Sequence, residues 1–175
     1  MRHRFVGIIV IVALGLLFQG MAYAEGPVKP TEKDKCSVCG MHVAPYPNWV
    51  CEIVFKDGTR TFFDGPKDMF NFYFNIAKYN KAKTKADIES LYVTEYYTTR
   101  MVKAEDVYFV TGSDVMGPMG DELVAVKGKA RAETFMKEHH GKKMLSFDEV
   151  TPADIPGGMM KMKGMKMKGK KMNGM

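Results

Sequence analysis

The sequence predicts an α+β fold built from two consecutive strand–strand–helix–strand (ββαβ) units that form one compact body. Three observations lead to this prediction. Apolar residues alternate over 49–55 with the period of a half-buried strand. The pair Asp57-Gly58 then follows, which is typical of a tight hairpin turn. The same order of elements finally recurs in the second half of the chain, which indicates a structural duplication.

The first unit is predicted over residues 36–98. After the hairpin turn, a return strand is expected over 59–63 and a helix from Asp64, which can cap it, to about Tyr79. The third strand is expected over 88–97, because apolar and β-branched residues return there after a lysine-rich loop.

The second unit is predicted over residues 99–156, with its elements in the same order. They are a strand over 106–111, a turn-rich loop over 112–120, a strand over 122–126, a helix over 129–140 and a short strand over 144–147. Gly141 is positioned as the C-terminal stop of the helix. We expect no nucleic-acid-binding face, because the net charge of +6 arises at the two ends of the chain.

Residues 1–24 are predicted to be an export signal. Two arginines precede an apolar run over 5–18, and Ala22-Tyr23-Ala24 offers the small residues that signal peptidase requires. As a helix this run would rise only about 21 Å, too little for a bilayer core of roughly 30 Å. An uncleaved anchor is the alternative. No cysteine lies near the cleavage point for lipoprotein acylation, so we expect a soluble periplasmic protein that begins with a linker over 25–35.

The first candidate site is the segment Cys36-Ser-Val-Cys39-Gly-Met41. Two cysteines three positions apart can face one centre, and Met41 adds a soft ligand on the same side. Zinc would require four ligands, usually from a second cysteine or histidine pair, and no such pair is evident. A thiol–disulfide redox site and a structural disulfide remain alternatives. Cys51 is expected to be a buried, inert thiol.

The second candidate site is Met116-Gly-Pro-Met119-Gly, in which glycine and proline hold two thioethers on a tight turn. Methionine is unusual in turns, which are commonly polar. The two thioethers are either metal ligands or packing groups beneath the loop.

The third candidate is the tail over 157–175, which has no aromatic or β-branched residue and is predicted to be disordered. It contains six lysines and seven methionines: Met159, Met160, Met162, Met165, Met167, Met172 and Met175. Thioethers select copper(I) over zinc or magnesium, so the tail is expected to form weak copper(I) sites. Weak contact with an anionic membrane through lysine is the alternative.

These motifs together resemble the NosL family of exported nitrous oxide reductase accessory proteins. The resemblance covers about residues 34–150. It depends first on two motifs, the CGM segment at 39–41 and the GPMG segment at 117–120. Four further segments support it: Phe62-Phe63-Asp64, the stretch 108–113, His140-Gly141 and the stretch 145–149. It implies two side-by-side ββαβ units. It also implies copper(I) ligands at Cys39, Met41 and Met119, with Cys36 close by. Many members are lipoproteins, whereas this signal ends in Ala-Tyr-Ala.

The resemblance implies a copper(I) chaperone of denitrification rather than an enzyme. Its implied acceptor is apo nitrous oxide reductase or another copper-accepting exported protein. A copper exporter or membrane assembly complex is the expected donor. Two alternatives remain, a copper-buffering or tolerance protein without a dedicated client, and a CxxC thiol–disulfide or copper reductase.

Overall fold

The computed structural model describes residues 26–157. The predictions for the signal over 1–24 and for the seven tail methionines therefore lie outside the described residues. Within the described part, helices pack on two antiparallel sheets, which confirms the predicted α+β fold class. No helix between residues 26 and 157 is long and apolar enough to cross a membrane.

The first sheet has four strands in the order β2-β1-β3-β4. They are β1 (Cys51–Phe55), β2 (Arg60–Phe63), β3 (Ile88–Thr94) and β4 (Met101–Lys103). The predicted Asp57-Gly58 turn joins β1 to β2, and Gly58 adopts the positive φ of 81° that this turn needs. Strand β4 was not predicted, because three residues are too few to establish an alternating pattern.

Strand β1 is buried along its whole length, so the prediction that it is half-buried was wrong. Helix α1 (Pro66–Phe74) contacts the strand. The polar residue Glu52 accepts hydrogen bonds from Arg60 Nη1 at 2.6 Å and from the main-chain nitrogen of Val28 at 3.0 Å. These contacts satisfy its carboxylate, which allows a charged residue to occupy a buried strand position.

The predicted helix from Asp64 to Tyr79 is divided into two. Helix α1 ends at Phe74, and α2 (Ile76–Tyr79) follows after Asn75, whose φ of −135° is not helical. The residue at the N-cap of α1 is Gly65, and no side chain caps it. The capping role predicted for Asp64 was therefore wrong, because its carboxylate faces a cysteine instead.

The second sheet has three strands in the order β6-β5-β7. They are β5 (Tyr108–Gly117), β6 (Gly120–Val126) and β7 (Lys143–Ser146), with α3 (Lys129–Glu138) between the last two. The predicted loop over 112–120 was wrong, because β5 continues to Gly117 and only residues 118–119 form the turn. The register shifts between Thr111 and Met116, and Gly112 has a φ of 70°. This irregularity explains why glycines inside a strand resembled a loop.

Helix α3 ends two residues earlier than predicted, and His140 takes a left-handed φ of 55°. Gly141 follows in close contact with strand β5, since a Cβ atom there would lie 2.5 Å from Val110 Cγ1. The glycine is therefore required by packing rather than by the left-handed turn.

Aromatic contacts join the two halves of the molecule. The ring of Phe70, on α1, packs edge-on against Phe109 of β5 at 4.9 Å between centroids, and lies 5.5 Å from the ring of Phe147. Phe70 and Phe109 are fully buried in one hydrophobic cluster with residues of both sheets. Burial of each such ring contributes roughly 1.5–3 kcal/mol. The two ββαβ halves thus share a core, and α1 lies between their sheets.

Candidate metal centre

The CxxC segment forms a tight loop that is closed by main-chain hydrogen bonds. Cys36 N donates to Met41 O at 2.7 Å, and Gly40 N donates to Cys36 O at 2.9 Å. Gly40 has a φ of 80°, a conformation that other residues rarely adopt. The loop therefore turns back at Gly40, so that Met41 pairs with the backbone of Cys36.

The same loop is attached to the end of strand β2. Cys36 forms a parallel bridge with Phe62, and Ser37 N donates to Phe62 O at 3.2 Å. The hydroxyls of Ser37 and Thr61 are also hydrogen-bonded to each other. Because β2 leads directly into helix α1, these contacts hold the cysteines beside the N-terminus of that helix.

Two carboxylates from the start of α1 face the two cysteines. Cys36 Sγ lies 3.3 Å from Asp68 Oδ2, and Cys39 Sγ lies 3.5 Å from Asp64 Oδ1. The four possible ligand atoms all lie within 4.8 Å of one another. We call these four residues the Cys2Asp2 cluster.

The Cys2Asp2 cluster is closed on one side and open on the other. Cys36, Asp64 and Asp68 are buried, whereas Cys39 is exposed. A metal ion or another protein can therefore approach the cluster from the side of Cys39.

Burial disfavours the thiolate form of both cysteines in the cluster. All three cysteines in the described part of the chain are free. Burial raises the pKa of the Cys36 thiol far above its usual value, and the nearby Asp64 carboxylate raises it further. Burial also raises the pKa of Cys39. A disulfide oxidoreductase depends on a lowered cysteine pKa, and burial shifts the pKa of both cysteines in the opposite direction.

The carboxylate of Asp64 is only partly satisfied by hydrogen bonds. Its Oδ2 atom is buried and has no hydrogen-bond partner among residues 26–157. An unpaired buried carboxylate oxygen is costly, because it has lost its hydration without compensation. A cation bound between the thiols and carboxylates would supply the missing partner, and two thiols with two carboxylates form a donor set that metal ions accept.

The methionine turn meets the same end of helix α1. Lys67 Nζ donates to Met119 O at 2.9 Å and to Asp121 O at 3.1 Å. The main-chain nitrogen of Lys67 also donates to the carboxyl group of Glu122. The hairpin that carries Met119 is thus hydrogen-bonded to Lys67, the residue before Asp68. Both predicted loops therefore reach the N-terminus of α1.

Glu122 is a fully buried carboxyl group at this junction. It also accepts a hydrogen bond from the main-chain nitrogen of Leu123 at 2.9 Å, and burial raises its pKa to about 8. It lies directly against helix α1, since a Cβ atom on Gly65 would come within 2.2 Å of Glu122 Oε2. The absence of a side chain at Gly65 therefore permits this close approach.

The other predicted site residues differ in their surroundings. Met41 is partly buried within the loop, while Met116 and Met119 are 55% and 50% exposed at the hairpin end. Their thioethers are therefore available to solvent rather than packed beneath the turn. Cys51 is fully buried, as predicted, and its Sγ donates to Trp49 O at 3.5 Å.

Asp64 and Asp68 were missed as candidate ligands. The sequence places Asp64 where a helix cap is expected, and Asp68 in a first turn where acidic residues are common. Asp64 lies one residue before the N-cap Gly65, so the helical spacing rule does not place it on one face with Asp68. Only the docking of the CxxC loop on β2 shows that both carboxylates face the cysteines.

The fold and the cluster define a small two-sheet α+β protein with a thiol- and carboxylate-lined candidate metal centre. The chain belongs to the NosL family, whose model matches residues 27–155. It is similar in structure to the copper chaperone NosL from Shewanella denitrificans, with a TM-score of 0.60 and 25% sequence identity. That match covers 73% of this chain and 99% of the other. No curated protein sequence matches the chain significantly.

Proposed function

We propose that this protein is a periplasmic copper(I) chaperone that binds the ion through cysteine and methionine sulfur. The observation that supports this most directly is the pair Cys36 and Cys39, which face one centre that is open to solvent at Cys39. Membership of the NosL family and similarity to a solved copper chaperone agree with this function.

The proposed copper(I) ligands are Cys36, Cys39, Met41 and Met119, with Met116 as an auxiliary donor. Soft thiolate and thioether sulfur favours copper(I) over harder ions. Met41 belongs to the same loop as the cysteines. Lys67 holds the main chain of Met119 at the N-terminus of helix α1. Movement of the exposed thioether side chains towards the cysteines would then complete the coordination.

Transfer of copper would begin at the exposed cysteine. We infer that a sulfur or imidazole ligand of an acceptor protein approaches the ion beside Cys39, while the buried Cys36 holds it until the exchange is complete. Each ligand that arrives replaces one that leaves, so the ion is never released into water.

The proposed acceptor is apo nitrous oxide reductase or another exported copper protein. A copper exporter or a membrane assembly complex would act as the donor. The methionine-rich tail would collect copper(I) near the folded site, because a tethered ligand is present at high effective concentration.

The function is tested by anaerobic copper(I) titration against a chromophoric chelator, followed by transfer to apo nitrous oxide reductase. Cys36→Ser and Cys39→Ser should each abolish the tight site. Cys51→Ala should retain it, since Cys51 lies in the core. Tight binding that survives both serine variants would contradict the proposed site. Tight binding without transfer would favour copper buffering.

A further inference from the structure

A groove of about 480 Å³ lies at the point where the tail over 157–175 begins. It is bounded by the irregular part of strand β5, by the start of strand β6 and by the residues that lead into the tail. The groove is lined by Thr111, Gly112, Ser113, Asp121, Lys142 and residues 153–157. Because Gly157 belongs to this wall, the tail continues directly from the groove.

The chain that leads into the tail is fixed to the second sheet. Asp154 Oδ2 accepts hydrogen bonds from Thr151 N and Thr151 Oγ1 at 2.9 and 2.6 Å. The other oxygen, Asp154 Oδ1, pairs with Lys143 Nζ of strand β7 at 2.5 Å. The next residue, Ile155, is buried in the hydrophobic cluster that both sheets share. The tail therefore leaves the folded body at one defined place.

Two polar side chains of the groove have no partner among residues 26–157. Ser113 Oγ is buried and forms no hydrogen bond within that range. The carboxylate of Asp121 is on an exposed residue and forms no ion pair there. A buried hydroxyl without a partner is costly, and a peptide main chain supplies both donors and acceptors. The groove is thus suited to a short peptide segment that carries a positive charge.

The tail begins with a segment of this kind. Residues 158–161 read Gly-Met-Met-Lys, and the whole tail has six lysines and no acidic residue. Lys161 therefore supplies the charge that complements Asp121. Lys142 contributes its methylene stem to the wall, since a Cβ atom on Gly112 would lie 2.8 Å from Lys142 Cδ. The groove thus offers an apolar stem to the methionine side chains and a carboxylate to the lysine.

Chain length keeps two thioethers of the tail close to Met116. Met116 pairs with Asp121 across the hairpin, and the side chains of directly opposed residues share one face, with Cβ atoms about 5 Å apart. Met159 and Met160 follow Gly157 by two and three residues, so even an extended chain places them at most about 7 and 11 Å from it. Met116 is 55% exposed. From the groove, both tail thioethers are therefore within reach of it.

We propose that residues 158–161 bind in this groove and that Met159 and Met160 transfer copper(I) to Met116 on its way to the tight site. This inference depends on the proposed copper function. Each step exchanges one thioether for another, because a copper–sulfur bond to Met116 forms as a bond to the tail breaks. The ion remains copper(I) throughout, so no electron is transferred. Met119, three residues further along the same hairpin, receives the ion next.

The rate of loading tests this transfer. The full mature chain, reduced and anaerobic, is mixed with copper(I) on a weak chelator, and copper–thiolate absorption reports the filling of the tight site. Met159→Leu combined with Met160→Leu should slow filling by about tenfold or more, because the tethered donor is lost. Met172→Leu combined with Met175→Leu is the matched control, since it removes the same number of thioethers from the far end of the tail. It should load at the wild-type rate.

Binding of the segment in the groove is tested by limited proteolysis. Trypsin should cut after Lys161 more slowly than after Lys168. Asp121→Asn should remove this protection, because it removes the charge that Lys161 meets. Asp106→Asn, at an exposed carboxylate outside the groove, is the control and should retain it. Protection that is unchanged in Asp121→Asn would contradict binding through this carboxylate.

Met116→Leu should slow loading as much as the change at Met159 and Met160, and combining all three substitutions should slow it no further, since they act in one step. Circular dichroism verifies that each variant is folded. The inference is overturned if the two double variants of the tail load equally slowly, or if Met116→Leu loads at the wild-type rate. Neither result contradicts tight copper(I) binding. A wild-type chain that binds no copper(I) tightly would instead contradict the proposed chaperone function.

Discussion

Lys67 Nζ donates a hydrogen bond of 2.9 Å to the main-chain oxygen of Met119. This bond connects the helix that carries Asp68 to the hairpin that carries two exposed thioethers. The amine also reaches Asp121 O, so one side chain is hydrogen-bonded to the turn and to the start of strand β6. A lysine outside the proposed ligand set therefore connects the methionine hairpin to the start of helix α1.

Replacing this lysine should weaken copper(I) binding through Met119. Lys67→Met retains the length of the side chain but removes both hydrogen bonds, and we expect a loss of about 1 kcal/mol, roughly a fivefold weaker affinity. In a Met119→Leu background the same change should have almost no further effect, because the group that it positions is already gone. Chelator competition on all four proteins measures this coupling.

Lys143→Met is the control for this experiment. Lys143 pairs with Asp154 at 2.5 Å in the second unit, so its replacement removes a comparable surface charge. Copper(I) affinity should remain at the wild-type value. Fully additive effects of Lys67→Met and Met119→Leu would show that the lysine does not act through Met119.

Glu122 should make the protein less stable as the pH rises. Its pKa is about 8 in the folded state, against an ordinary value of 4.5, so the folded protein favours the protonated group. The resulting stabilisation is complete below about pH 4.5 and is lost as the pH rises through 8. It amounts to a few kcal/mol, since each pKa unit corresponds to about 1.4 kcal/mol.

Denaturant unfolding at pH 5, 7 and 9 measures this dependence. Glu122→Gln should remove most of the decline, because glutamine stays neutral throughout. Glu133→Gln, at an exposed position on helix α3, should behave as the wild type does. Parallel pH profiles for the wild type and Glu122→Gln would contradict the prediction.

Gly65→Ala should destabilise the junction between the two units. The new Cβ atom would lie 2.2 Å from Glu122 Oε2, so either the carboxyl group or the helix must move. We expect a cost of about 1–3 kcal/mol in the free energy of unfolding. Thermal and denaturant unfolding provide the measurement.

Gly26→Ala is the matched substitution, because no atom lies within 4 Å of a Cβ atom there. It should leave the stability nearly unchanged. Combining Gly65→Ala with Glu122→Ala should recover part of the loss, since the shortened side chain no longer meets the new methyl group. If it recovers nothing, the clash with Glu122 is not the cause.

Removing residues 157–175 should abolish weak copper(I) binding and retain the single tight site. The proposed tight ligands all lie between Cys36 and Met119, whereas the deleted segment contains seven thioethers. A chain in which those seven methionines are replaced by serine keeps the lysines and should behave like the truncated one. Loss of the tight site from either protein would contradict this division of roles.

Local patterns predicted several elements of the fold correctly. The Asp57-Gly58 turn, strand β2 and the start of helix α1 near Pro66 depend on backbone preferences of a few adjacent residues. The paired sheet orders β2-β1-β3 and β6-β5-β7 agree with the repeated ββαβ pattern. In contrast, Gly112 and Gly117 were mistaken for loop residues, because a strand with a bulge can contain glycine without ending.

The sequence by itself determined the chemistry available to this protein: two cysteines in a turning loop, thioethers on a hairpin and a largely neutral body. Only the tertiary structure decided which groups meet. In the sequence, Asp64 and Asp68 resemble ordinary residues at the start of a helix. In the structure, the CxxC loop docks on Phe62, and its cysteines face both carboxylates. Such contacts join residues more than 20 positions apart, and their geometry depends on the packing of whole elements, which local preferences do not encode.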